Sequence, residues 1–82
     1  MKEFKIDMDV QSNKYIVVEV GKESTIENSV AEGNSRSEAM RCGLSNLKQW
    51  RQITNSQEDF IIFFDYDNIE KDVEENGESR RV

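Results

Sequence analysis

The chain has 82 residues, 17 of them acidic and 11 basic, for a net charge of −6 without any histidine. The absence of histidine removes histidine general-base chemistry, Ser-His and Cys-His nucleophile pairs and the usual zinc sites, and the single cysteine, Cys42, excludes a disulfide-stapled scaffold. The length suits one domain around one core layer; with no apolar leader segment and no apolar run longer than Phe60 to Phe64, a soluble cytoplasmic protein is expected.

Phe4, Ile6, Met8 and Val10 alternate with Lys5, Asp7 and Asp9, which is the period of a strand with one buried face. Ser12 and Asn13 supply a turn, and Tyr15 to Val20 resumes as a second strand. Ile16, Val18 and Val20 share one of its faces; Tyr15, Val17 and Glu19 share the other. Apolar residues on both faces predict an interior strand, or one whose Tyr15 and Val17 face meets a partner. Gly21-Lys22-Glu23 forms the next turn. Thr25 to Glu32 reads as a third strand, and Asn28 between Ile26 and Val30 suits an edge position.

Ser35 with Glu38 makes a capping-box pattern and opens the one strong helix. Its buried stripe runs through Ala39 or Met40, Gly43, Leu44, Leu47 and Trp50 toward Ile53, with Arg41, Ser45, Lys48 and Gln52 opposite. Gly43 on the inner face lets the helix lie close to the sheet, Trp50 closes the lower end of the core, and Cys42 reads as a small core or boundary residue. After a polar connection, Phe60 to Phe64 is a β-prone run covered on both faces. The expected fold is α+β: a four-stranded, mostly antiparallel sheet packed by one helix, in the order β-β-β-α-β. The helix returns the chain to place the last strand beside the first or at an edge.

Residues 1–66 form that single domain, and 67–82 follow as an acidic tail. From Asp65 to Val82 there are seven acidic and three basic residues. Ile69 and Val73, four apart, allow a short helix; residues 74–81 are expected to be disordered. The helix from Arg36 to Gln52 is the counterpart, with four basic residues and one acid. Arg41, Lys48 and Arg51 are therefore candidate anion-binding residues. No aromatic interleaving or glycine-rich phosphate loop accompanies them. Asp7, Asp9, Asp65 and Asp67 would suit a two-metal nuclease if the first and last strands were neighbours. The plainer reading is solvent-facing acids, so neither a metal nor any other cofactor is expected. A third arrangement lays the acidic tail over the basic helix face.

Three stretches resemble the partial ribonuclease-H-like domain of HicB-type antitoxins over roughly residues 3–52. They are Tyr15-Ile16-Val17-Val18, the helix start Ser35-Arg36-Ser37-Glu38-Ala39, and Leu44-Ser45-Asn46-Leu47. The proline-rich segment usual in that family has no counterpart at Gly21 to Thr25. The DNA-binding module that commonly follows the domain has no counterpart in this sequence either. The resemblance implies binding and neutralisation of a basic protein, without transcriptional self-regulation.

The expected function is thus an acidic protein-binding module, not an enzyme, that inhibits or neutralises a basic partner, antitoxin-like or as a nucleic-acid mimic. The expected contact residues are Tyr15, Val17, Asp65, Tyr66, Asp67, Glu70, Asp72, Glu74 and Glu75, with Asp59 and Glu78 as further phosphate mimics. Nucleic-acid binding by the helix face and a divalent-metal nuclease are the rival readings; no membrane partner is expected, and a homodimer stays open.

Overall fold

In the computed structural model, which describes residues 1–66, 80 and 81, the alternating first segment forms β1, Lys2–Asp9. Phe4 and Ile6 are buried on the face that receives the helix. Asp9 then closes the turn: its Oδ2 accepts from Ser12 Oγ at 2.7 Å, and its carbonyl accepts from Asn13 N at 2.8 Å. Asn13 takes φ 58°, a left-handed conformation that asparagine tolerates. The chain reverses into β2, Lys14–Glu19, antiparallel to β1 with Ile6 opposite Val17. Ile16, Val17 and Val18 are consecutive and all fully buried, so β2 is the interior strand its composition predicts, covered on both faces.

The third strand departs from expectation. Thr25 to Glu32 does not run as one strand; Thr25 caps a 3₁₀ turn at Ile26–Asn28, and β3 is only Ser29–Gly33. Local side-chain bonds win over the ladder here. Asn28 Nδ2 donates to the Glu23 carbonyl at 3.0 Å, and Ser29 Oγ donates to the Ile26 carbonyl at 2.7 Å. Ile26 is left exposed as a result. β3 pairs antiparallel with β2 and lies at the sheet edge, as expected. A bulge between Val17 and Val18 shifts the register, and both Val30 and Ala31 pack against the helix-side core.

Helix α1 spans Arg36–Thr54. Ser35 is its N-cap, with the side-chain oxygen accepting from Glu38 N at 3.1 Å. Asn55 ends it in the left-handed region at φ 53°, and Ser56 N donates back to the Arg51 carbonyl at 3.0 Å. Ser35→Ala should lower the unfolding free energy by about 1 kcal/mol, measured by urea denaturation. The buried face carries Ala39, Met40, Gly43 and Leu47 and lies across β2 and β3. At Gly43 the helix lies close on the sheet: a Cβ there would stand 3.0 Å from Val17 Cγ2 and 3.2 Å from Ile62 Cδ1. Nineteen residues make a helix of about 28 Å, whereas the five residues of β3 span about 17 Å. The helix end outruns the sheet. Trp50 therefore closes the core only in part, at 37% exposure, and Ile53 is outside it at 82%.

The crossover through α1 brings β4, Phe60–Phe63, parallel to β1, with Phe4 opposite Ile62. A mixed four-stranded sheet in the order β3-β2-β1-β4 results, packed by one helix, with the last strand beside the first. Arg80–Arg81 adds a short fifth strand, β5, antiparallel to β4, within the stretch expected to be disordered. The short helix expected around Ile69 and Val73 lies outside the described residues.

The face of the sheet opposite α1 is also covered. Lys5↔Val18 and Asp7↔Ile16 put these residues on that face, where Ile16 and Val18 are fully buried. Ser24 Oγ donates to Asp7 Oδ2 at 2.6 Å and fastens the 3₁₀-containing excursion across it. Tyr66 packs edge-on against Phe63 at 5.5 Å, with Lys5 Nζ 5.5 Å from its ring centre.

Candidate protein-binding surface

The fold consumes many of its own cations. Lys2 Nζ stands 5.2 Å from the centre of the Trp50 ring, and Lys5 Nζ is 3.8 Å from Asp7. Lys22 is 4.0 Å from Glu19. Arg36 donates to the Phe64 carbonyl at 3.0 Å and lies over the Tyr15 ring at 5.4 Å. Arg51 donates to Asp59 Oδ1 at 3.4 Å. Glu3, Glu27 and Glu32, by contrast, are exposed and belong to no ion pair among the described residues. Arg41 and Lys48 are likewise exposed and outside any ion pair among the described residues, so the outward charge is of both signs.

Among the described residues, Asp7 has a clearly displaced titration. Burial pushes its pKa up, but the Ser24 hydroxyl, the Met8 amide and the charges of Lys5 and Arg36 together hold it below the ordinary carboxylate value. A depressed folded-state pKa contributes stability that is fully present above the unfolded value, about 4, and is lost as pH falls through the folded one. Asp7→Asn should therefore flatten the acid limb of the stability profile below about pH 4. Urea midpoints taken from pH 2 to pH 7 would read this, and parallel profiles for both proteins would contradict it.

The residues singled out in the sequence take different places. Val17 is fully buried beneath Gly43, so it has no surface to offer a partner. The face it shares with Tyr15 is the helix-packed one, because the Ile6↔Val17 register points it toward α1. Tyr15 is half-buried under Arg36. Asp65 and Tyr66 are half-buried at the exit of β4. Asp67, Glu70, Asp72, Glu74, Glu75 and Glu78 lie outside the described residues. Lys48 and Arg51 line one concavity of ≈ 400 Å³ with Gln52 and Asn55, while Arg41 lines another of ≈ 560 Å³ beside Ala31 and Cys42. Asp7 and Asp9 are held by Ser24 and Ser12, and among the described residues no three acidic, cysteine or histidine side chains come together as a metal site.

The two edges of the sheet are finished differently. At β3 the bulge, the exposed Glu32 and Asn46, whose Nδ2 donates to the Val30 carbonyl at 2.9 Å, all oppose strand addition. At β4 the backbone pattern is set by Lys2 N, which donates to the Asp59 carbonyl at 3.0 Å. In a parallel pair this turns the backbone groups of Asp59 and Ile61 toward β1 and those of Phe60 and Ile62 away from it. Phe60 N–H is accordingly taken by Asp59 Oδ1 at 3.0 Å, and Ile62 faces Arg80. Glu58 and Asp59 precede this edge and Asp65 follows it. Sequence reasoning missed Glu58, and with it the acidic flanks of this strand as a unit; the signal was acids at both ends of the Phe60 to Phe64 run.

No helix among the described residues is long and apolar enough to cross a membrane. Comparison of the chain with family models, with curated proteins and with solved structures finds no match.

Proposed function

We propose that this chain is a protein-binding module, not an enzyme, that neutralises or inhibits a basic partner protein in the cytoplasm. The observation that supports it best is the division of charge. Lys2, Lys5, Lys22, Arg36 and Arg51 are engaged within the domain, which leaves exposed Arg41 and Lys48 against exposed Glu3, Glu23, Glu27 and Glu32. The Asp65 to Val82 stretch adds a further excess of acid. A surface of one sign steers a partner of the other and makes the association fall with salt. The neutralising role rests on the resemblance of Tyr15 to Val18, Ser35 to Ala39 and Leu44 to Leu47 to HicB-type antitoxins.

Affinity capture with the full chain at low and high salt tests this reading. A basic protein should be retained at about 50 mM salt and released near 500 mM, where screening shortens the reach of surface charge to a few ångströms. A variant carrying Glu70→Lys, Asp72→Lys and Glu74→Lys should retain at least about tenfold less. Equal retention by both chains would remove the acidic segment from the mechanism.

A further inference from the structure

We propose that the outer edge of β4 is the partner-binding groove, that it accepts an extended basic segment as an added antiparallel strand, and that Arg80–Arg81 occupies it in the free protein as a displaceable stand-in. The inference rests on the reading of a basic protein partner and names where that partner docks.

Three observations carry it. First, Ile62 directs its backbone N–H and C=O away from β1, so they need a strand on that side. Second, β5 supplies that strand with only two residues, Ile62 opposite Arg80 and Ile61 opposite Arg81. A ladder of two residues holds one fully bonded pair, and within β4 the Phe60 carbonyl also points outward, where a longer segment could reach it. Third, the segment that fills the edge is Arg-Arg and acids flank the strand: Asp65 follows it, while Glu58 and Asp59 before it also meet the N-terminal ammonium at 3.8 Å and Arg51 at 3.4 Å. β3, the other edge, is closed to addition by its bulge and by Asn46. Strand addition gives affinity through the main chain and selectivity through flanking side chains. Tethering keeps β5 at an effective concentration of the order of millimolar, so it competes with an incoming strand without shutting it out.

The test uses the full chain as wild type, Arg80→Pro, and the double variant Arg80→Glu/Arg81→Glu. Proline removes the Arg80 amide from the ladder; the double variant keeps the amide and reverses the charge. Amide exchange at Ile62 should quicken in both variants, while exchange at Ile61, whose N–H faces β1, should stay unchanged. A fluorescein-labelled peptide of residues 76–82 should bind both variants about tenfold more tightly than wild type, because the tethered competitor is weakened. The same peptide with both arginines replaced by glutamate should bind none of the three. Equal peptide affinity for wild type and both variants would overturn the proposal. So would binding of the glutamate peptide as strong as that of the arginine peptide. Dimerisation of the variants in sedimentation, with Ile62 protected, would assign the edge to a second copy and overturn the basic occupant. Unchanged peptide binding together with salt-sensitive capture of a basic protein would remove strand exchange and leave the proposed function standing. Peptide exchange as expected, with no basic protein retained at low salt, would do the reverse.

Discussion

Phe60→Ala should lower the unfolding free energy by about 3–5 kcal/mol, the usual range for truncating a buried phenylalanine. Phe60 is 1% exposed, the largest of the fully buried side chains, and belongs to the helix-side core with Phe4, Leu47 and Ile62. Its ring meets Phe4 edge-on, with centroids 6.5 Å apart and planes at 89°. Such a pair adds roughly 0.5–1.5 kcal/mol beyond the area it buries. Phe60 also begins β4 opposite Lys2, where the parallel pairing with β1 starts. The loss therefore falls where the crossover from α1 rejoins the sheet. A domain of this size has a total stability of roughly 4–12 kcal/mol, so the variant should be partly unfolded at 25 °C at the low end of that range. Phe60→Leu, which keeps most of the volume, should lose under about 1.5 kcal/mol. Urea denaturation followed by circular dichroism separates the two, and a loss below about 1 kcal/mol for the alanine variant would show that this ring does not anchor the core.

Gly33→Ala should destabilise by about 3 kcal/mol, at the upper end of overpacking effects, although it adds only one methyl group. A Cβ at Gly33 would stand 2.6 Å from Ala39 N and 2.9 Å from both Glu38 C and Glu38 Cβ. Two of those atoms are backbone of the first helical turn and cannot swing aside as a side-chain end would. The first turn must then lift from β3, and the Ser35 cap and the bond from Arg36 to the Phe64 carbonyl move with it. Gly43→Ala makes the informative contrast. Its Cβ would meet side-chain atoms of Val17 and Ile62 at 3.0 and 3.2 Å, and alanine gains about 1 kcal/mol of helix propensity over glycine. Its net effect should be well under half that of Gly33→Ala. Similar midpoints for Gly33→Ala and wild type in thermal melts would contradict the close approach of β3 and α1.

Most of the elements were readable because their signals are local. Period-two alternation marks β1, serine before glutamate marks the start of α1, and consecutive apolar residues mark β4. The departures have local and tertiary origins. Thr25 to Glu32 alternates well enough to pass for a strand, but Thr25 caps the Asn28 amide while Asn28 and Ser29 bond the Glu23 and Ile26 carbonyls in a 3₁₀ turn. Val17 was offered as a contact residue because alternation tells which residues share a face but not which face the helix takes. Ile53 continues the apolar stripe of α1 in the sequence, yet it stands 82% exposed.

The sequence by itself determined the composition of the core, the β-β-β-α-β order, the one capped helix and the concentration of acid after Phe64. Each of these depends on residues close together in the chain. Only the tertiary structure decided that β4 runs parallel to β1, which face of β2 receives the helix, and that β3 and β4 end as differently finished edges. It also decided that five of the basic side chains are engaged at home. Strand direction, edge chemistry and charge pairing are relations between residues far apart in sequence, set when α1 crosses the sheet. The acids at Glu58, Asp59 and Asp65 become the flanks of one edge only then.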